Sequence, residues 1–178
     1  MPVKAKPEGY HVVTPYLIAE GAAKVIDFAK AAFGAEETLR FAAPGGRIGH
    51  AELRIGDSTV MLADANAGHP AMPCTLHLYV DDADATYRRA LAAGAISVQA
   101  VANQFYGDRS GGVRDPCGNV WHIATHVEDV PPAELARRAE EAMRQSAMTG
   151  GGITAGLSRA MKQRHRAGWG SAGNPIPL

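Results

Sequence analysis

Pro116-Cys117-Gly118-Asn119-Val120-Trp121-His122-Ile123-Ala124-Thr125 is a four-residue turn running into a strand, and it decides the reading of the whole chain. Proline, glycine and asparagine accept turn dihedrals, and the residues that follow alternate in polarity as a half-buried strand does. An earlier stretch has the same plan: Gly56-Asp57 turns the chain into Thr59-Val60-Met61-Leu62-Ala63. Met61 and His122 then lie 61 positions apart (61 to 122). The same offset carries Thr14, at the head of Thr14-Pro15-Tyr16-Leu17-Ile18, onto Thr75, at the head of Thr75-Leu76-His77-Leu78-Tyr79-Val80 (14 to 75). One register fits both ends of an internal repeat.

Each copy of the repeat continues from its first strand into a helix that stops at a glycine. An alanine-rich stretch ends at Phe33-Gly34, and a helix from about Ala83 to Ala93 ends at Gly94. Glycine takes the left-handed conformation of a helix C-cap without a Cβ penalty. Three strands follow in each copy, about Glu37 to Ala42, Ile48 to Ile55 and Thr59 to Ala63, then about Ser97 to Asn103, Ser110 to Arg114 and Val120 to Thr125. The expectation is an α+β protein of two tandem βαβββ modules, residues 10–66 and 72–130, forming a curved mixed sheet around a cavity. A C-terminal helix over 131–148 and a basic flexible tail over 149–178 complete the chain.

Strand parity divides the side chains between two faces. Val13, Leu17, Val60, Leu62, Leu76, Leu78, Val80, Trp121 and Ile123 fall on one face, which the helices should cover. Thr14, Tyr16, Met61, Ala63, Thr75, His77, Tyr79 and His122 fall on the other. Such a mixture of small, aromatic and hydrogen-bonding groups suits a ligand cavity.

Composition narrows the partner. The 178 residues are 46% hydrophobic, and 18 basic residues balance 18 acidic ones, so no overall field favours nucleic acid or an anionic membrane. Cys74 and Cys117 lack the paired spacings of a structural zinc site and read as reduced thiols in the cytoplasm. Neither a signal peptide nor a run of about 18 apolar residues is visible. A soluble cytoplasmic protein acting on a small molecule or another subunit is expected.

Several segments carry a resemblance to a known family: Thr14 to Leu17, Ala32 to Glu36, Gly49 to Asp57, Tyr79 to Asp82, Phe105 to Arg109 and, most typical, Asp115 to Trp121. Over about residues 10 to 130 the chain resembles the vicinal oxygen chelate superfamily, also called glyoxalase/bleomycin resistance/dioxygenase, and its PhnB-like branch in particular. The resemblance implies a homodimer. In metal-dependent members it implies one metal ligand from the first and one from the last strand of each module, commonly His or Gln and Glu. Thr14, Thr75, Met61 and His122 hold those places here. Hydroxyls and a thioether are poor ligands for the divalent metals concerned. The resemblance therefore points to members that bind a compound without metal, with no cofactor expected, and it argues against a glyoxalase I-type metal-dependent activity.

The site candidates keep alternatives. His77 and His122 are the candidate acid and base; they also read as hydrogen-bonded cavity lining, or, with His50 or Glu52, as ligands of a displaced divalent metal in a lyase or isomerase. Tyr16 and Tyr79, taken as mates across the repeat, read as aromatic walls or as core tyrosines. Tyr106 and Arg109 lie at the cavity mouth, where Arg109 would clamp an anionic ligand or pair with Asp108 or Asp115. His50, Glu52 and Arg54 read as a solvated edge strand. Asp81, Asp82 and Asp84 read as capping and macrodipole partners of the second helix. The C-terminal helix has a narrow apolar stripe of Leu135, Ala139, Ala142 and Met143. The tail with Arg159, Lys162, Arg164 and Arg166 would be a flexible segment or meet an anionic partner, and, as a third function, the C-terminal helix and tail from Pro131 onward would act together as an interaction module.

Overall fold

The structure is a computed structural model describing residues 3–148, so the basic tail lies outside the described residues. Residues up to Asp129 form one compact unit, and a second begins at Val130. The first module runs β1 (Tyr16–Ala19), α1 (Ala22–Phe33), β2 (Glu36–Ala43), β3 (Arg47–Ile55) and β4 (Ser58–Asp64). The second runs β5 (Thr75–Tyr79), α2 (Ala83–Ala92), β6 (Ile96–Asn103), β7 (Asp108–Arg114) and β8 (Val120–His126). The expected α+β pair of βαβββ modules is present. Each forms a mixed four-stranded sheet, β1-β4-β3-β2 and β5-β8-β7-β6, in which the first and last strands pair in parallel and the rest antiparallel.

The offset of 61 holds at the level of single hydrogen bonds. In β1–β4 Tyr16 lies opposite Met61, and in β5–β8 His77 lies opposite His122. At the end of β4 an Asp64 carboxylate oxygen accepts from the Gly21 and Ala22 N–H groups at 3.0 and 2.7 Å, capping α1. Thr125, its mate at the end of β8, accepts from the Ala83 N–H at 2.8 Å and so caps α2. Both satisfy donors that a helix N-terminus leaves without an intrahelical partner. Asp64 also accepts from Ile48 N–H at 2.6 Å, and these backbone donors hold its carboxyl below the usual range against the opposing effect of burial.

A single core joins the modules. Leu17, Leu53, Val60 and Leu62 of the first sheet pack with Val25, Ile26 and Phe28 of α1, and the cluster continues into Val113, Trp121 and Ile123 of the second sheet. The Trp121 indole meets Phe33 at 4.9 Å and Phe28 at 6.4 Å between ring centres. Leu76, Leu78 and Val80 pack partly buried against this core, as parity predicts. Val13 does not: it precedes β1, which begins only after Pro15, and it is 82% exposed. The expectation of an edge position for His50, Glu52 and Arg54 is also corrected. Their strand, β3, runs between β4 and β2, and Glu52 is buried at 9% exposure.

The second unit contains α3 (Pro132–Met148), with Glu134 paired to Arg137 and Arg138, and Arg137 to Glu141. Leu135, Ala139 and Ala142 are half-buried while Met143 is exposed. No helix among the described residues is long and apolar enough to cross a membrane.

Candidate functional site

The sheet faces turned away from the helices carry the chemistry. On the second sheet, period-two alternation brings His77, Tyr79 and His122 to one side. The two imidazoles stack with ring centres 6.1 Å apart and planes 23° from parallel, and His77 meets the Tyr79 ring at 4.8 Å. Gly112 lies opposite His122 on β7, and a Cβ there would come within 3.4 Å of the His122 Nδ1, so the glycine leaves the ring its room. Thr75 is exposed at the start of the same strand. Neither His77 nor His122 hydrogen-bonds a carboxylate among the described residues.

Burial and, second, the nearby His77 push the His122 imidazole below its ordinary 6.5. Both effects favour the neutral imidazole.

Tyr79 is 63% exposed at its ring, but its hydroxyl donates to Asp108 Oδ2 at 2.9 Å. That bond and burial raise its pKa, so the phenol stays neutral and leaves its oxygen lone pairs free to accept. Asp108 is itself buried; its other oxygen lies 2.9 Å from His126 Nδ1, and His126 Nε2 lies 3.0 Å from Asp129. These two hydrogen bonds, Asp108 first, raise the His126 pKa.

The two histidines therefore oppose each other in pH dependence. For His122 the folded value is depressed, so its contribution to stability is whole above 6.5 and is lost as pH falls through the folded midpoint. For His126 the folded value is raised, so its contribution is whole below 6.5 and is lost as pH rises through the folded midpoint. An NMR titration should place His122 below 6.5 and His126 above it, and Asp108→Asn should lower only the latter. Coincident midpoints would contradict the geometry.

On the first sheet the outward residues are Tyr16, Phe41, His50, Glu52 and Met61. Tyr16 Oη lies 3.0 Å from His50 Nδ1, His50 Nε2 lies 3.2 Å from Glu52 Oε1, and the Tyr10 hydroxyl donates to Glu52 Oε2 at 2.5 Å. Phe41, 59% exposed, stacks on the His50 ring with centres 6.3 Å apart. Thr14 stands just before β1, its hydroxyl donating to His11 carbonyl at 3.1 Å, and with Tyr10, Lys6 and Met61 it lines a cleft of about 430 Å³. A larger cleft of about 760 Å³ runs past His77 and Tyr79 to the β3–β4 turn at Gly56 and Asp57.

Two sequence readings change. Tyr16 and Tyr79 are not mates, because the strand register relates Tyr16 to His77. Arg109 pairs through both its Nε and Nη2 with Asp84, and with Asn103 at 3.0 Å, instead of with Asp108 or Asp115. Asp82 is the N-cap of α2, accepting from Ala85 N–H at 2.8 Å, and Asp84 lies in its first turn, where a macrodipole partner is expected, besides pairing with Arg109. Tyr106 sits half-exposed beside β7, its hydroxyl 3.5 Å from Ser110. The parts the sequence reading missed are Tyr10 and His126. Tyr10 meets Glu52 across 42 positions and His126 meets Asp108 across 18, and only the contact of His126 with Asp129 is local.

Two βαβββ sheets, each closed by a parallel pairing of its first and last strands and each with a polar and aromatic outward face, define a paired-module class of protein. The sequence profile of the Glyoxalase/Bleomycin resistance protein/Dioxygenase superfamily matches residues 10–123. The uncharacterized protein Mb0911c of Mycobacterium bovis is 41% identical over 134 residues, covering 69% of this chain and 88% of its own. The uncharacterized protein Rv0887c of Mycobacterium tuberculosis is equally similar, with 79% of its length covered. Among solved structures, TioX from Micromonospora sp. ML1 is 28% identical with a TM-score of 0.56, covering 65% of this chain and 98% of its own. TnmS3, an antibiotic binding protein from Streptomyces sp. CB03234, shares the fold at a TM-score of 0.54 and 23% identity, covering 70% and 99%. The chain belongs to the glyoxalase/bleomycin resistance protein/dioxygenase superfamily.

Proposed function

We propose that this protein, a member of the PhnB-like branch, binds an uncharged planar small molecule on its outward sheet faces, and that two copies pair to enclose it. The observation that carries this reading is the His77–Tyr79–His122 surface: three flat rings on one face, two of them exposed, with the half-buried His122 neutral and Tyr79 held as an acceptor. A planar ligand gains stacking area on such a wall, and a donor on its rim can meet Tyr79. An anionic ligand finds no free guanidinium in Arg109, which is engaged by Asp84 and Asn103. The pairing of copies is supported by the large apolar groups left in solvent, Tyr16 and Phe41 on the first sheet and Ile96 and Val98 on the outermost strand of the second.

A divalent metal does not fit this donor set. Thr14 is hydrogen-bonded to a backbone carbonyl outside β1, Met61 offers a thioether and Thr75 a hydroxyl, which leaves His122 as the one good ligand of the four. Among the described residues no group of three or more His, Cys, Asp and Glu side chains is placed to hold an ion. No step through a metal follows from these residues.

The test is thermal unfolding of the purified protein with a panel of neutral planar heteroaromatic compounds. A binder at about 100 times its Kd adds about 2.7 kcal/mol of stability. The gain should be lost in His122→Ala and Tyr79→Ala. An undiminished gain in both variants would overturn the site.

A further inference from the structure

Glu52 is the carboxylate whose surroundings the fold does not explain. Asp64 caps α1, Asp82 caps α2, and Asp115 holds the turn before β8. Glu52 caps nothing. It sits in the middle of β3 at 9% exposure, and its carboxylate meets two side chains, Tyr10 and His50. Among the described residues no lysine or arginine side chain bonds to it. A buried carboxylate without a cation is costly and is retained where it has a task.

Its partners are ordered. In the tautomer in which His50 donates Nε2–H to Glu52, its Nδ1 is left as an acceptor facing the Tyr16 hydroxyl. In that tautomer the donors run from Tyr16 to His50 to Glu52, with the Tyr10 hydroxyl donating to the second carboxylate oxygen. This is the hydroxyl–imidazole–carboxylate order that turns a weak hydroxyl into a base, since the imidazole takes the proton and the carboxylate stabilises the imidazolium. Tyr16, the outer end, is 49% exposed on a face shared with Phe41 and Met61.

We propose that Tyr16, His50 and Glu52 form a proton relay that deprotonates the acidic hydroxyl of an uncharged phenol or enol bound against Phe41. The ligand O–H gives its proton to Tyr16 Oη as the Tyr16 proton passes to His50 Nδ1. One O–H bond breaks in the ligand, one N–H bond forms on His50, and the ligand is left as its oxyanion with no electron transferred. The imidazolium so formed, paired with Glu52, is a countercharge to the ligand oxyanion. An enol held this way is activated at carbon, and a phenol is recognised in its ionised form. The inference rests on the outward faces receiving a small molecule.

The probe is p-nitrophenol, whose phenolate has its own visible absorption. The full-length protein is titrated with it one pH unit below the midpoint of the free probe, where about one tenth is ionised. Probe bound to the wild-type protein should be at least half ionised, about a tenfold shift in the ionisation equilibrium. Tyr16→Phe and Glu52→Gln should bind the probe with the ionised fraction back near one tenth, and circular dichroism identifies any variant that has not folded. Should Glu52→Gln not fold, Tyr16→Phe alone decides, because it removes only an exposed oxygen. Binding of un-ionised probe by the wild type, or an unchanged ionised fraction in Tyr16→Phe, would overturn the relay and leave the binding site standing. Absence of probe binding would also overturn the relay, while the thermal panel decides the second-sheet site separately.

Discussion

Asp115→Ala should destabilise the protein by about 3–4 kcal/mol, seen as a lower urea midpoint at unchanged slope. Asp115 is 3% exposed, and its two oxygens accept four hydrogen bonds. Oδ1 takes the Cys117 and Asn119 N–H groups, each at 2.9 Å; Oδ2 takes Asn119 Nδ2 at 2.8 Å and Trp121 Nε1 at 3.1 Å. Alanine leaves those donors without an acceptor, and Asn119 and Trp121 are too buried for water to replace it. The damage reaches further than the turn, because Asn119 Oδ1 in turn accepts from Cys74 N–H at 3.2 Å just before β5. Asp115→Asn keeps one accepting oxygen and should cost less. A loss below about 1 kcal/mol in the alanine variant would show that the turn holds itself without the carboxylate.

Trp121→Ala should cost about 3–5 kcal/mol, the range for truncating a buried aromatic residue. The indole, 2% exposed, packs against Phe33 and Phe28 of the first module and is tied to Asp115 in the second. Because one core spans both modules, the variant should still unfold in a single transition, but at a lower midpoint. Trp121→Phe keeps most of the contact and loses the hydrogen bond, and should fall between. The double variant Asp115→Ala/Trp121→Ala should cost less than the two single losses combined, since both remove the same bond. Two separate unfolding transitions in Trp121→Ala would mean that the modules are stabilised independently and that the indole merely bridges them.

How much of this was legible in the sequence follows from which interactions are periodic. The offset of 61 between Met61 and His122 came from turn residues and strand alternation, both local, and the structure carries it down to the caps made by Asp64 and Thr125. The inward face was legible from Leu17 to Ile123 because burial repeats with the strand period. Val13 failed because Pro15 delays the start of β1 by two residues from Thr14, and a start shifts more easily than a period. Strand order was not legible. Nothing local says that β3 lies inside its sheet, so His50 and Glu52 read as a solvated edge when they belong to a hydrogen-bonded chain. Arg109 went astray for a related reason: Asp108 was its neighbour in sequence, but adjacent strand residues point to opposite faces, and Asp84 at the start of α2 was its neighbour in space. His77 and His122 were placed on one face correctly, whereas the Asp108–His126 support beneath Tyr79 depends on the β7–β8 register.

The most direct measurement of the central claim is chemical-shift mapping of the labelled protein during titration with the tightest neutral planar compound from the thermal panel. Ligand stacked on the second sheet should perturb the side-chain resonances of His77, Tyr79 and His122 and the amide of Gly112, at a ligand-dependent rate common to all four, while Val25 and Ile26 on α1 stay fixed. Perturbations confined to α1, α2 or α3, with those four signals unmoved at saturation, would contradict a site on the outward sheet face.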